Sequence, residues 1–188
     1  MRHFNLALEL LRYKIVITIK TKSVKETGKV ARLFAERVKI KNGRDSRPTI
    51  LALEGELGSG KTTFTQGLAR TLGVKEKVVS PTFVLLKIYQ LPSSVNFKHL
   101  IHIDCYRLDS PKDLLRLGFK NMLKDKDAIL VIEWADRVRK ILPSDAIWVK
   151  FKHDYSRGRI LTFSDTVESK KVGVRKNHQR LVAKDDSR

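Results

Sequence analysis

One stretch of the chain, residues 50–64 (ILALEGELGSGKTTF), limits the possible folds more than any other feature of the sequence. An apolar run ends in a glycine-rich turn, and a run compatible with a helix follows it. The turn matches the phosphate-binding pattern G-x-x-x-x-G-K-[ST] at Gly55, Gly60, Lys61 and Thr62. Glycine-rich turns also occur where nothing binds, but roughly one chain in a hundred of this length would contain the whole pattern by chance. The stretch therefore predicts a strand, a phosphate-binding loop and a helix.

The residue types of this loop explain its predicted chemistry. Glycines let the backbone curl so that successive N–H groups point at anionic oxygens, and the helix adds its positive N-terminal end. Lys61 can reach the β- and γ-phosphates of a nucleotide, and the Thr62 hydroxyl can ligate Mg²⁺. We expect ATP with Mg²⁺ as the ligand, and the loop residues expected to contact it are Glu56, Leu57, Gly58, Ser59, Gly60, Lys61, Thr62 and Thr63.

Length and charge limit the classes of protein. The chain has 188 residues, which suits one domain with additional segments, and 41% of the residues are hydrophobic. The formal net charge is +19, so the surface favours polyanions such as nucleic acid, an acidic protein or anionic lipid. A generally basic surface that serves solubility is the alternative explanation.

Cysteine usage and hydropathy bear on location. Cys105 is the only cysteine, which excludes an intramolecular disulfide framework and a zinc site built from several cysteines. Apolar runs stay well below the roughly 18 residues that a membrane-spanning helix needs. Residues 1–12 lack the apolar core and the cleavage site of a signal peptide. We therefore expect a cytoplasmic protein with no membrane partner.

Hydrophobic periodicity predicts strands that alternate with helices. Ser23 and Glu26 form a capping-box pattern at the start of a helix. Gly73 is a natural C-cap for the helix that follows the phosphate loop. Strands 83–89 and 99–106 are close enough in sequence to form a hairpin. The predicted helices are 22–39, 61–72 and 111–122, and the predicted strands are 13–20, 49–54, 83–89, 99–106, 128–133, 146–152 and 159–163.

This alternation predicts an α/β fold, namely a three-layer P-loop NTPase-like fold with a mixed, largely parallel central sheet. Ligands of such sheets bind at the carboxyl ends of the strands. We expect an N-terminal extension at residues 1–14, a P-loop ATPase domain at 15–163 and a basic, flexible tail at 164–188.

Two carboxylates follow apolar strands where hydrolysis chemistry needs them. Glu133 follows the run AILVI, at a position where many phosphate-loop proteins carry an aspartate that holds Mg²⁺ directly or through water. Asp104 ends the preceding apolar strand. Either side chain could instead be structural, capping a turn or pairing with Arg107. Because hydrolysis requires a metal and a positioned water, we expect both near Mg²⁺ or the attacking water.

Three further features leave two interpretations open. The segment Ser80-Pro81-Thr82 could be a switch whose threonine senses the γ-phosphate, or an ordinary turn fixed by proline. Trp134 is better interpreted as a core residue or as part of a pocket wall than as a platform on which a base stacks. His102 precedes Asp104 by two residues and so shares its strand face, where a structural histidine is expected.

Four stretches carry a resemblance to one family. GELGSGKTTF, SPTF, HIDCYRL and IEWADR occur in an order and spacing that resemble the TsaE family, formerly YjeE. These are the small bacterial ATPases of tRNA threonylcarbamoyladenosine biosynthesis. The likeness covers roughly residues 15–163, and the four motifs together are far more specific than the loop alone.

The resemblance implies a function and partners. Members of this family work with the threonylcarbamoyl transferase and its paralogue of the same sugar-kinase-like fold, which modify the adenosine next to the tRNA anticodon. ATP binding and hydrolysis support repeated turnover of that complex. By motif match, Lys61 would hold the phosphates, Thr62 and Glu133 would hold Mg²⁺, and Asp104 would serve hydrolysis. Thr82 would lie in a switch-like loop and Trp134 beside the nucleotide.

Departures from the family pattern are small. Ser59 stands where alanine is usual, Cys105 where a larger apolar residue is common, and Ala135 where proline usually follows Glu-Trp. None of these departures removes a charged or metal-binding group. Because Ala135 replaces the usual proline, the family pattern does not predict the path of the loop after Glu133. The basic tail lies outside the resemblance, and we expect it to add electrostatic affinity for tRNA.

Two other functions compete with this one. A small nucleotide or metabolite kinase would share the fold and the loop, and it would need an arginine-bearing lid. The stretch after Glu133 offers Arg137 and Arg139, but it contains no obvious long insertion that could form a lid. A nucleic-acid-binding module that uses ATP as a switch would explain the charge, but the sequence contains no recognisable RNA-binding motif.

Overall fold

Seven strands and four α-helices form in the described part of the chain, which covers residues 16–40, 47–154 and 158–165 of a computed structural model. A 3₁₀ helix also forms at Ala135–Ile141. The strands are β1 (Ile17–Thr21), β2 (Thr49–Glu54), β3 (Leu86–Gln90), β4 (His99–Asp104), β5 (Ala128–Glu133), β6 (Ile147–His153) and β7 (Arg159–Asp165). The α-helices are α1 (Val24–Ile40), α2 (Lys61–Thr71), α3 (Pro111–Arg116) and α4 (Phe119–Met122).

All seven strands belong to one mixed sheet in the order β1-β7-β6-β2-β5-β4-β3. The four central strands β6, β2, β5 and β4 are parallel, whereas β1, β7 and β3 pair antiparallel with their neighbours. The predicted α/β fold with a mixed sheet is confirmed. The predicted hairpin of β3 and β4 is confirmed as well, since these strands pair antiparallel over five residues.

Helices cover both faces of the sheet, which gives the predicted three layers. On one face Leu51 and Leu53 of β2 pack against residues of α1 and α2. On the other face Ile50 and Ala52 pack against Leu114 of α3 and neighbouring residues. Alternate side chains of a strand point to opposite faces, so a strand buried on both sides reads as one continuous apolar run.

Local sequence signals explain where the helices begin and end. The Ser23 hydroxyl accepts a hydrogen bond from the Glu26 backbone N–H at 3.1 Å, as the capping-box pattern predicts. The Glu26 carboxylate accepts from the Lys22 backbone N–H at 2.7 Å instead of from Ser23. After α2 the chain turns at Gly73, whose φ of 92° lies in the left-handed region that favours glycine.

Several predicted boundaries are wrong. The single helix predicted at 111–122 is two short helices, because Gly118 between them adopts a φ of 83°. The strand predicted from residue 83 begins at Leu86, since residues 82–84 form a turn. The last strand continues to Asp165, so residues 164 and 165 belong to the sheet.

Some predictions fall on parts of the chain that the structure does not describe. The N-terminal extension at 1–14 lies outside the described residues, as does the basic tail after residue 165. The first strand is described only from Ile17. A search of the described residues finds no helix that is both long enough and apolar enough to cross a membrane.

The contact between the phosphate-loop helix and the sheet supplies the first testable prediction. The Phe64 ring of α2 lies 5.7 Å from Phe151, 6.1 Å from Phe163 and 6.2 Å from Phe34, measured between ring centroids. Phe64→Ala should lower the free energy of unfolding by about 3–5 kcal/mol, because it leaves a cavity where α1, α2 and the sheet meet. Phe83→Ala is the matched control.

The Phe83 side chain is 83% exposed, so its truncation should change stability by about 0.5 kcal/mol or less. Urea denaturation followed by circular dichroism measures both variants. Equal effects of the two changes would show that this aromatic contact does not anchor α2.

Candidate functional site

The phosphate loop joins β2 to α2 along a path that glycine makes possible. Gly55 has a φ of 150°, and a Cβ atom there would lie 2.6 Å from the Phe151 carbonyl oxygen. Gly60 has a φ of 105°, and a Cβ there would lie 2.9 Å from Cδ and Nε of Arg159. The loop therefore passes close to β6 on one side and close to the Arg159 side chain on the other. A larger residue at Gly55 would push the loop away from the backbone of β6, whereas at Gly60 it would force the Arg159 side chain to move and would strain the backbone.

The Lys61 ammonium lies against the loop that precedes it. Its Nζ donates hydrogen bonds to the carbonyl oxygens of Gly55 at 2.6 Å and Glu56 at 2.8 Å. It also lies 4.0 Å from the centroid of the Trp134 ring, a cation–π contact. Burial lowers the pKa of Lys61, and the nearby carboxylates of Glu133, Asp104 and Asp136 partly oppose that shift.

The Glu133 carboxylate, 2% exposed, is bound on both of its oxygens. Thr62, the residue after the loop lysine, donates from Oγ1 to Oε2 at 2.9 Å. The His102 Nε2 lies 2.8 Å from Oε1, and the Thr65 hydroxyl lies 3.4 Å from the same oxygen. A threonine hydroxyl and a carboxylate held this close fit the all-oxygen coordination of Mg²⁺.

Asp104 lies beside Glu133 because the two are partners in the parallel pairing of β4 and β5. Its Oδ2 accepts hydrogen bonds from the hydroxyls of Ser80 and Thr82, the latter at 2.6 Å. Its Oδ1 accepts from the backbone N–H of Tyr106 at 2.9 Å. The turn before β3 is therefore tied to the carboxyl end of β4.

Trp134 takes the backbone conformation that turns the chain away from β5. Its φ of 56° lies in the left-handed region, which is unusual for a bulky residue. The ring is half-buried, 4.9 Å from the Tyr106 ring, and it forms one wall of a groove of about 570 Å³ beside the loop. The 3₁₀ helix begins at Ala135. The chain after Glu133 therefore continues into a helix, although alanine stands where the family usually has proline.

The thiol next to Asp104 plays no part in this cluster. Cys105 is fully buried, and desolvation, with the charges of Asp104 and Asp136, raises the pKa of the thiol to about 12. The thiol is therefore protonated and inert at neutral pH.

The structure brings most of the predicted site residues together. Lys61, Thr62, Glu133 and Trp134 are linked by direct contacts, Asp104 is paired with Glu133, and Thr82 is bonded to Asp104. At the tip of the loop Glu56, Leu57 and Gly58 are exposed, Ser59 and Gly60 are buried, and Thr63 is half-buried.

Sequence reasoning missed three contributors to this cluster. Thr65 lies three residues after Thr62, so both face the same side of α2, a spacing that is visible in the sequence. The sequence marks Ser80 only as part of a turn and His102 only as a structural histidine. Their contacts with Asp104 and Glu133 join segments distant in sequence, and no local pattern signals them.

The fold and the site define a P-loop NTPase-like protein. It has a mixed sheet with helices on both faces, a glycine-rich loop and a buried carboxylate at the end of a strand. The sequence model described as "Threonylcarbamoyl adenosine biosynthesis protein TsaE" matches residues 21–161. The chain belongs to the TsaE family.

Individual relatives agree with this assignment. The tRNA threonylcarbamoyladenosine biosynthesis protein TsaE of Rickettsia typhi is 36% identical over 131 residues, which cover 69% of this chain and 82% of the relative. The protein of the same name from Bacillus subtilis is 34% identical over 148 residues, covering 77% and 83%. The crystal structure of YdiB from Bacillus subtilis superposes with a TM-score of 0.62 at 28% identity, covering 80% of this chain and 86% of YdiB.

The close approach of Arg159 to the loop gives the second prediction. If the loop binds ATP as the sequence predicts, Gly60→Ala should weaken that binding about tenfold, because the left-handed φ strains alanine by about 1–2 kcal/mol and the added Cβ forces the Arg159 side chain to move. Equilibrium binding of a fluorescent ATP analogue measures this.

Gly28→Ala is the matched control for this substitution. A Cβ at Gly28 meets no atom within 4 Å, and the residue lies inside α1. Alanine there should leave binding unchanged and should raise the free energy of unfolding by about 1 kcal/mol. Unchanged binding in Gly60→Ala would contradict the left-handed backbone that the structure gives the loop at Gly60.

Proposed function

We propose that this chain binds and hydrolyses Mg²⁺–ATP as the ATPase component of tRNA threonylcarbamoyladenosine biosynthesis. The observation that carries the proposal is the hydrogen bond from Thr62 to the buried Glu133 carboxylate. It brings the first helical turn after the phosphate loop to the end of β5, where phosphate-loop enzymes hold their metal. Membership of the TsaE family supplies the biosynthetic context.

Each side chain has a defined task in this proposal. Lys61 exchanges its carbonyl partners in the loop for the β- and γ-phosphate oxygens of ATP. Thr62 and Glu133 would hold Mg²⁺, which would supply positive charge beside those oxygens. Asp104 accepts hydrogen bonds in the structure and can orient or deprotonate the attacking water. Trp134 lines the groove beside the loop, where it can contact the nucleotide.

Thr82 gives the site a means of sensing the γ-phosphate. Its hydroxyl is bonded to Asp104, so an ATP-dependent change at Asp104 reaches the turn directly. Phe83, the next residue, is exposed, which places an apolar side chain at the surface of that turn. A turn of this kind can report the nucleotide state to a partner protein.

We propose that the partners are the threonylcarbamoyl transferase and its sugar-kinase-fold paralogue, with tRNA bound by their complex, in the cytoplasm. The kinase hypothesis is weaker, because the two candidate lid arginines lie in the 3₁₀ helix and their side chains already have partners. Arg139 is paired with Glu54 at 2.6 Å, and Arg137 donates to the Leu108 carbonyl at 3.1 Å.

The decisive experiment measures phosphate release from Mg²⁺–ATP by the chain alone, with the transferase–paralogue pair, and with a panel of small phosphoryl acceptors. We expect slow release that accelerates only with the protein pair. Asp104→Asn should lower turnover about 100-fold or more, because it removes a group that orients or deprotonates water. Glu133→Gln should lower turnover as well, and both variants should keep most of their affinity for ATP.

Asp127→Asn is the matched control, because Asp127 precedes β5 at the end of the strand opposite Glu133. Its exposed ion pair with Lys98 lies away from the loop, so turnover should not change. Rapid ADP formation that depends on a small acceptor and ignores the protein pair would identify a kinase.

The basic tail gives a separate prediction. Residues 170–188 contain seven lysines and arginines and two aspartates. Deleting them should weaken tRNA binding by the assembled complex and flatten its salt dependence by about 0.7–0.9 for each phosphate that the tail neutralises. An unchanged slope in a salt titration of tRNA binding would show that the tail does not bind the tRNA backbone.

A further inference from the structure

His102 is a buried histidine that contacts the proposed metal-binding carboxylate. Its side chain is fully buried in β4, and its Nε2 lies 2.8 Å from Oε1 of Glu133. The register of β4 and β5 explains the contact. His102 is paired with Val131, and Val131 lies two residues before Glu133 in β5. Because side chains alternate along a strand, those of His102 and Glu133 lie on the same face of the sheet. That face is the one covered by α2, which carries Thr62 and Thr65.

Burial alone does not explain this histidine. Its second ring nitrogen, Nδ1, is buried and has no hydrogen-bond partner among the described residues. An unpaired buried nitrogen destabilises the folded state, and an apolar residue at this position would avoid that penalty. What the imidazole does provide is a hydrogen bond to Glu133. A carboxylate oxygen only accepts, so Nε2 is the donor.

The two oxygens of Glu133 have different surroundings. His102 and Thr65 contact Oε1, whereas Thr62 donates to Oε2. A carboxylate bonded through only one of its oxygens could rotate about its last bond. The hydrogen bond at Oε1 opposes that rotation and keeps Oε2 directed at the Thr62 hydroxyl.

We propose that His102 is a positioning residue, which through its Nε2 hydrogen bond holds Glu133 in the orientation that binds Mg²⁺ together with Thr62. The inference rests on the proposed function, because it takes the assignment of Thr62 and Glu133 to Mg²⁺ from there. His102 itself contacts neither the metal nor the nucleotide. Side chains that orient metal ligands in this way typically change metal affinity about 10- to 100-fold when they are replaced.

The test measures metal binding directly and does not depend on turnover. Mn²⁺ is titrated into the protein with saturating ADP, and free Mn²⁺ is followed by electron paramagnetic resonance. His102→Leu should weaken Mn²⁺ binding about 10- to 100-fold. The affinity for ADP in the presence of EDTA should stay the same, because Lys61 and the loop are untouched.

Two further variants separate positioning from packing. His102→Gln can place an amide N–H close to the position of Nε2, so it should recover most of the Mn²⁺ affinity. His99→Leu is the matched control, because His99 lies in the same strand and contacts Asp125, away from the loop. It should bind Mn²⁺ as the unmodified chain does. Thermal unfolding of each variant confirms that it is folded.

The outcomes distinguish this inference from the proposed function. If the unmodified chain binds no Mn²⁺–ADP, the proposed function fails, and the inference fails with it. If the unmodified chain binds Mn²⁺–ADP and folded His102→Leu binds it equally well, only the inference is overturned. Equal losses in His102→Leu and His102→Gln would assign the effect to packing and would also overturn it. Should His102→Leu fail to fold, His102→Asn replaces it, because the shorter amide cannot reach Glu133.

Discussion

The site depends on the hydrogen bond between Thr62 and Glu133. It joins the first turn of α2 to the end of β5, two segments 71 residues apart in the chain, and it does so inside the protein, where Glu133 is 2% exposed. A buried carboxylate is stable only when its oxygens are bonded. The helix, strand β4 and strand β5 must therefore stay in register for this one side chain to keep its partners.

The same packing requirement explains how the core holds the phosphate loop in place. Phe64 inserts the start of α2 into the aromatic cluster with Phe34, Phe151 and Phe163, and Gly55 passes against the backbone of β6. Both ends of the loop are thus anchored to the sheet and its covering helices. A loop that is held in place in this way is preorganised, so its N–H groups would need little ordering when a ligand binds.

The two carboxylates at the carboxyl edge of the sheet, Glu133 and Asp104, have different kinds of hydrogen-bond partner. Glu133 is hydrogen-bonded to two buried residues, His102 and Thr65, and to the half-buried Thr62, which suits a metal ligand. Asp104 is bonded to Ser80 and Thr82 of a partly exposed turn, which suits communication with the surface. The two carboxylates are register partners on the adjacent strands β4 and β5. Family membership places this arrangement in tRNA modification.

The sequence by itself determined the fold class, the phosphate loop and the two strand-end carboxylates, because each depends on short-range patterns: apolar runs, glycine spacing and an acid after a strand. It did not determine that Gly118 divides a predicted helix. Nor did it find the contacts of His102, Thr65 and Ser80. Only the tertiary structure decided those, since a hydrogen bond between side chains 31 residues apart follows from strand order and register, which local periodicity does not encode.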